Sequence, residues 1–450
     1  MRHHPLLISL SKSFAWQRML VVFLVVLAGL VVIRWHKVMP VALDYRHLDL
    51  PFPAAIDSES YLAMASGRIA EVASPFSKRL LYPLLAKGLA DAAHIELPTA
   101  FLILSILSLA VLSYCLANCL EITVGHPLLA IPLLITPFSM EGLEMGYIPD
   151  LFHVALISLF FLLLLKERIG WSLIVLLIAF LARENTLVLC LLGAGVGYLR
   201  RHKLLFWGCL GVLFLGVVST SLFAKLGQPN IHKIPDFLYL AAKVPYNFLG
   251  NVLGIVVWSD VRTDVGEPII KWLLPTYLRI GADKEVGVLL RWQMPLNTFV
   301  LLLTLFGIGP LLLIRFLRRW RELFVELPLA IQLAFLYGLV SWLLGPVLGN
   351  WVERLIGYGW PVFWIALPYL ICRAGWKLSR SDVIMLLGCH VLLCWLPQLT
   401  GHTRWAPNFF LLLLIIPYYL TLSRLAMAVP KPRPQNNPVS DEARLEPHGR

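Results

Sequence analysis

The sequence predicts an all-α, polytopic transmembrane protein of about twelve spans. Three observations carry that prediction. First, 59% of the 450 residues are hydrophobic and only 14% are charged, against about 25% charged in a soluble domain. Second, apolar segments recur along the chain at a spacing that fits roughly 20 residues per crossing plus connections. Third, the basic residues sit in short clusters between those segments, as in Arg200-Arg201-His202-Lys203 and the run from Arg315 to Arg321. That placement is how cytoplasmic loops are written by the positive-inside rule, so the formal charge of +12 reports topology and not nucleic-acid binding.

Taken in order, the first apolar run, Met19 to Ile33, follows Lys12 and Arg18 and meets no small-residue cleavage motif. It reads as an uncleaved first span with the N-terminus inside. Further spans are expected near 98–120, 126–140, 148–165, 171–183, 186–199, 204–223, 292–314, 324–348, 360–372, 382–397 and 407–422. Tracing from an inside N-terminus puts 166–168, 200–203, 315–321, 373–380 and the C-terminal tail on one face, both termini cytoplasmic. The segments 171–183 and 186–199 are short, rising only about 20 Å each against a hydrocarbon core of roughly 30 Å. They read as two short helices meeting below the outer surface at Arg183-Glu184-Asn185, with one long helix carrying a buried ion pair as the competing reading.

Residues 1–429 form one membrane domain in this reading, and the Pro-rich polar tail 430–450 has no apolar face and is expected to be disordered. Two outside loops are long, about 35–97 and 224–291. The first contains amphipathic stretches at 58–70 and 79–93 that suit helices lying along the interface. The second carries aromatic-rich stretches from Asp236 to Trp258 and from Ile269 to Ile280. The seven cysteines all lie in apolar segments, which argues against a disulfide framework. The fifteen tryptophans fall mostly at span ends, where the interfacial belt places them.

Ionisable groups beside a membrane mark function more often than packing. Asp57 and Glu59, in Asp57-Ser58-Glu59-Ser60-Tyr61, offer two carboxylates for general-base chemistry or for holding a divalent ion. They also suit the start of a helix, Asp57 or Ser58 as its cap and Glu59 favouring its positive end. Asp150 opens the fourth span, and His153 follows one turn later on the same face. Basic residues on the outer face are not explained by topology: Lys78 and Arg79 in the first loop, Arg183 at the short-helix turn, Arg354 beside Glu353, and Arg404. Guanidinium groups grip phosphate oxygens bidentately, although Glu353–Arg354 and Arg183–Glu184 also suit internal pairs. The candidate catalytic set is therefore Asp57, Glu59 and Asp150. The candidate substrate-binding set is Tyr61, Lys78, Arg79, His153, Arg183, Glu353 and Arg354.

This order of features resembles the polytopic glycosyltransferases of the GT-C fold. The likeness rests on the acidic motif Asp57-Ser58-Glu59-Ser60-Tyr61 after the first span and the Pro75 to Pro83 stretch. It also rests on Tyr147-Ile148-Pro149-Asp150, the paired short helices meeting at Ala182-Arg183-Glu184-Asn185-Thr186, and the late Glu353-Arg354 followed by Pro361. The resemblance implies a polyprenyl-phosphate-sugar donor, a glycan or lipid-linked acceptor, and a plasma-membrane setting such as the bacterial inner membrane. It maps the base or metal-holding acid onto Asp57 and a donor-phosphate arginine onto Arg354, with Mg or Mn as the possible divalent cation. No second acidic triplet accompanies Asp57, and no sizeable soluble domain follows the last span. A transporter or flippase of a lipid-linked anion is the runner-up, and a polysaccharide polymerase or ligase is a third reading.

Overall fold

The computed structural model describes residues 6–35, 54–144, 146–228, 236–259, 286–290, 327–348 and 357–373, together with Pro295, Thr298, Leu355 and Gly388. The expected spans near 292–314, 382–397 and 407–422, the tail, and the Glu353–Arg354 and Arg404 sites lie outside the described residues. What is described is helical apart from one ribbon. The helices are α1 (Leu6–Trp35), α2 (Ala54–Ala65), α3 (Leu81–Ala93), α4 (Leu97–Val124), α5 (Ala130–Leu134), α6 (Pro137–Glu144), α7 (Asp150–Leu165), α8 (Ile169–Ala182), α9 (Thr186–Leu199), α10 (Lys203–Ala224), α11 (Asp236–Asn247), α12 (Leu329–Leu348) and α13 (Trp360–Arg373). The ribbon pairs β1 (Ile255–Ser259) antiparallel with β2 (Val286–Leu290), Ile255 opposite Leu290. It sits in the second long loop, where the sequence was read as aromatic-rich without a strand. Among the described residues three helices, α4, α10 and α12, are long and apolar enough to cross a membrane.

Side-chain contacts fix the direction of each helix. Arg18 in the first half of α1 pairs with Glu121 at the end of α4 at 2.6 Å, so these two helices are antiparallel. At the other end of α4, Tyr82 and Ser105 hydroxyls donate to the Gly146 carbonyl at 3.0 and 3.1 Å. The chain entering α7 is thus beside the start of α4, and the two helices run the same way. Between them the chain must climb back, and here the expected third span is not one helix. It is split into α5 and α6 at Ile135-Thr136, because Pro137 disfavours helical backbone at Thr136 before it while suiting the first position of the helix it opens.

The short pair is present as two helices. Arg183 takes extended backbone, φ −160° and ψ 128°, and ends α8. Gly208 and Gly216 of α10 lie against Leu173 and Phe180 of α8, whereas Cys209 and Phe206 of α10 lie against Gly193 and Gly197 of α9. Ascending order on one side and descending on the other means α8 runs parallel to α10 and α9 antiparallel to it. The two short helices therefore form a hairpin packed on α10. Since Phe180 is level with Gly216, the Arg183–Asn185 tip is level with about residue 219. α10 continues to Ala224, so the tip is recessed by about 8 Å at 1.5 Å per residue.

The first long loop is docked over this end of the bundle. Tyr61, Met64, Ala65, Tyr82, Ala86, Phe101 and Tyr147 form a small separate core there, with Phe223 of α10 against its edge. Backbone bonds from Ser74 N to Gln228 O at 3.1 Å and from Gln228 N to Val72 O at 2.9 Å tie the loop to the chain leaving α10. At the lower end, Arg200 donates to Gln332 Oε1 at 2.9 Å and to the Leu327 carbonyl at 3.0 Å. At the upper end, Asn251 Nδ2 donates to the Pro346 carbonyl at 2.8 Å. α12 thus spans the bundle, and α13 begins where Gly359 lies close to Ser341 and Gly338.

Two neighbouring glycines of α9 separate packing from propensity. A Cβ at Gly197 would stand 2.7 Å from the Phe206 backbone nitrogen, while one at Gly195 would meet nothing within 4 Å. We expect Gly195→Ala to be neutral or stabilising by up to about 1 kcal/mol. Gly197→Ala should cost about 1–3 kcal/mol because the backbone it strikes cannot yield. Thermal unfolding of the two variants in detergent, compared side by side, checks the order.

Candidate functional site

Five segments meet at the recessed tip: α2, the Phe76–Lys78 turn before α3, the start of α7, the α8–α9 turn, and the chain just ahead of α13. Two crossed ion pairs join them. Arg79 donates from Nε to Glu184 Oε2 at 2.8 Å and from Nη2 to the other carboxylate oxygen. Its third nitrogen, Nη1, donates to the Tyr61 hydroxyl at 3.1 Å. Arg183 donates from Nη1 to Asp150 Oδ1. The two partners thus come from positions 105 and 33 residues away. The internal Arg183–Glu184 pair allowed by the sequence does not form, because consecutive side chains on extended backbone point to opposite sides.

Burial makes these pairs obligatory. Arg79 is 8%, Arg183 6% and Asp150 3% exposed, and an unpaired charge at such a place costs several kcal/mol. For Glu184, burial pushes the carboxyl up, but the Arg79 guanidinium outweighs it and holds the group down at about 2. At Arg79 burial opposes the charge, and Glu184 and Tyr61 together more than offset it, so the guanidinium is held above its ordinary value. Tyr82, on α3, is pushed up by burial.

Around Arg183 the packing is aromatic and hydroxylic. Its guanidinium carbon lies 4.5 Å from the centre of the Tyr358 ring, within cation–π range. The His153 ring meets the same Tyr358 edge-on at 5.6 Å. His153 Nε2 is 2.9 Å from the Thr186 hydroxyl, which donates to the Arg183 carbonyl at 2.9 Å. His153 is fully buried and its Nδ1 has no hydrogen-bond partner. The i, i+3 spacing of Asp150 and His153 therefore does place both on the face of α7 that meets the hairpin tip.

The first-loop acids separate. Asp57 lies in the first turn of α2 and is half-buried, while Glu59 is exposed. Asp57 and Tyr61 are four apart and share a helical face, and Tyr61 is the residue that receives Arg79. Glu59 is turned away from that face. Lys78 is half-buried at the end of the turn preceding Arg79. Tyr61, Arg79, Asp150, His153 and Arg183 are thus brought together, with Asp57 one turn away. Glu353 and Arg354 fall just before Leu355, outside the described residues.

Sequence reasoning did not find Glu184, Thr186 or Tyr358 as members of this cluster. Glu184 was visible as an acid in a turn, yet its partner in the first loop is set by tertiary packing alone. A divalent-cation site does not fit the donors on view. Among the described residues no three His, Cys, Asp or Glu side chains converge, and the Asp150 and Glu184 carboxylates are committed to guanidinium groups.

The depressed Glu184 carboxyl gives a signed pH dependence. Its contribution to stability is fully present above its ordinary value of 4.5 and is lost as pH falls towards about 2. Acid unfolding of the wild-type protein should show this loss, and Glu184→Gln should abolish it. That variant leaves Arg79 buried without a counter-charge and should cost on the order of 3 kcal/mol at neutral pH. Thermal unfolding from pH 6 down to pH 2.5 measures both effects.

The chain matches no protein-family model and no curated protein.

Proposed function

We propose that the protein is a membrane glycosyltransferase of GT-C type, moving a sugar from a polyprenyl-phosphate donor to a glycan or lipid-linked acceptor at the outer membrane face. The observation that carries this reading is the recessed cluster itself. Two guanidinium groups and their carboxylates sit at one end of a bundle whose described core is mostly apolar, beneath a docked loop that carries Asp57 one turn from Tyr61. The opposite end carries Lys166, Arg168, Arg200, Arg201 and Lys203 at the turns between helices. By the positive-inside rule that end is cytoplasmic, which puts the cluster outside.

In this reading Asp57 accepts the acceptor's hydroxyl proton as the sugar is displaced with inversion. The departing phosphate is stabilised by cationic groups already held in place, usually the largest electrostatic contribution to such a step. Arg183, and Arg354 by the resemblance, are the cations for that role. Arg79 is not, since all three of its nitrogens are spent on Glu184 and Tyr61. Asp150 orients Arg183 and does not act as a base, because its carboxylate is committed to that guanidinium.

General-base contributions are typically about 10² to 10⁴ in rate. Asp57→Asn should therefore lower sugar transfer in membranes by at least about a hundredfold, with insertion and thermal stability retained. Glu59→Gln should cost far less. Wild-type transfer in a stably inserted Asp57→Asn protein defeats the assignment. Substrate uptake by proteoliposomes with no covalent product decides instead for a transporter of a lipid-linked anion.

A further inference from the structure

One side chain at the hairpin tip keeps an acceptor to spare. His153 is fully buried, one turn into α7 from Asp150. Its Nε2 lies 2.9 Å from the Thr186 hydroxyl, and the single proton of that hydroxyl goes to the Arg183 carbonyl, also at 2.9 Å. The hydroxyl can therefore only accept from the ring. Nε2 carries the proton of the neutral imidazole, and Nδ1 is a bare lone pair.

Among the described residues Nδ1 meets no donor. Burying an acceptor without a donor is costly, and buried polar groups are nearly always paired. An apolar residue at this position would carry no such cost. The neighbouring carboxylates of Asp150 and Glu184 can only accept, and the nitrogens of Arg79 donate to Glu184 and Tyr61. The donor that suits Nδ1 is an O–H or N–H brought from outside the cluster.

The position is close to Arg183. Asp150, three residues earlier on the same face of α7, pairs with that guanidinium. The Tyr358 ring meets His153 edge-on at 5.6 Å and has the Arg183 guanidinium 4.5 Å from its centre. A phosphate served by Arg183 would thus hold its esterified group about one helical turn from His153.

We infer that Nδ1 of His153 accepts a hydrogen bond from one hydroxyl of the sugar carried on that phosphate. His153 is then a specificity-determining residue, and Thr186 is the positioning residue that fixes its tautomer. No proton is transferred in this contact. Tyr358 lies on the turn ahead of α13, so movement of its ring opens Nδ1 to a ligand at Arg183. The inference rests on the glycosyl-transfer reading for the choice of a sugar. It goes beyond that reading by requiring a free hydroxyl at one position, since a deoxy sugar leaves the buried acceptor unpaired and is rejected.

The test measures binding to the full-length protein in nanodiscs. The probes are fluorescent undecaprenyl phosphate, bare and carrying each of a panel of hexoses and pentoses. At least one loaded lipid should bind at least about tenfold more tightly than the bare one. Among the deoxy analogues of that sugar, one should lose at least about tenfold in affinity. His153→Gln keeps a donor for Thr186 but places no acceptor at the Nδ1 position, so it should erase the penalty for that one hydroxyl and leave the others unchanged. His153→Asn, whose side-chain oxygen stands near the Nδ1 position, should keep part of it. Should His153→Gln fail to insert, His153→Phe supplies the same loss of acceptor with a ring of similar shape.

A panel in which no loaded lipid outbinds the bare one overturns the inference, and so does a deoxy series that singles out no hydroxyl. A penalty equal in wild type and His153→Gln overturns it too, because a structural histidine weakens every analogue alike. Because the readout is binding, failure here is distinct from failure of the transfer reading. Full transfer in Asp57→Asn removes the catalytic assignment alone, and normal transfer without coupling between His153 and a hydroxyl removes this inference alone.

Discussion

The upper half of the molecule depends on the pairing of charges at the hairpin tip. An α-helix of 14 residues is too short to carry its end groups clear of a bilayer, so the turn between α8 and α9 must bring polar backbone and side chains below the level of its neighbours. Such a turn survives only where protein satisfies it. Arg79 supplies that from the first loop and Asp150 from the start of α7. Removing Asp150 strands the buried Arg183, and removing Arg79 leaves the half-buried Glu184 without its partner, so the hairpin, the docked loop and the start of α7 would each lose the group that holds it in register.

This explains why the first loop is built as it is. The loop could have been a tether, but it folds into α2 and α3 around Tyr61, Met64 and Tyr82 and forms its own small core. That core fixes the Phe76–Lys78 turn, and the turn presents Arg79 to Glu184. Tyr82 works at the same junction from α3, its hydroxyl meeting Ser105 and the Gly146 carbonyl just ahead of α7. The loop is therefore a structural lid on the bundle. Its helices stabilise it locally, and the buried Arg79 anchors it to the recessed turn.

Much of this was legible in the sequence, for reasons that can be named. The break between α8 and α9 showed because Arg183-Glu184-Asn185 interrupts two apolar runs. The first-loop helices showed because their apolar residues recur at helical spacing. The partners of Arg183 and Glu184 did not show, since adjacent residues in a turn look like a natural pair until extended backbone separates them. Tyr358 was hidden because nothing local marks an aromatic residue as the face of a distant guanidinium. The third span was misjudged where Thr136-Pro137 splits it, a signal present in the chain but outweighed by the apolar run on either side. The ribbon was missed because five-residue runs such as Ile255–Ser259 are too short for periodicity to tell strand from loop.

The two pairs of this electroneutral cluster differ in how they are made. Two unit charges 4 Å apart attract by about 4 kcal/mol at an effective dielectric of 20, against about 1 kcal/mol in water. Both pairs gain from the recess, but the bidentate one gains geometric specificity as well. Each nitrogen of Arg79 donates to Glu184 or Tyr61, and that pair behaves as a fastening. Arg183 makes one carboxylate contact, to Asp150 at the start of α7. The fastening of the first loop therefore rests on Arg79 and Glu184, while Arg183 and Asp150 join the hairpin tip to the start of α7.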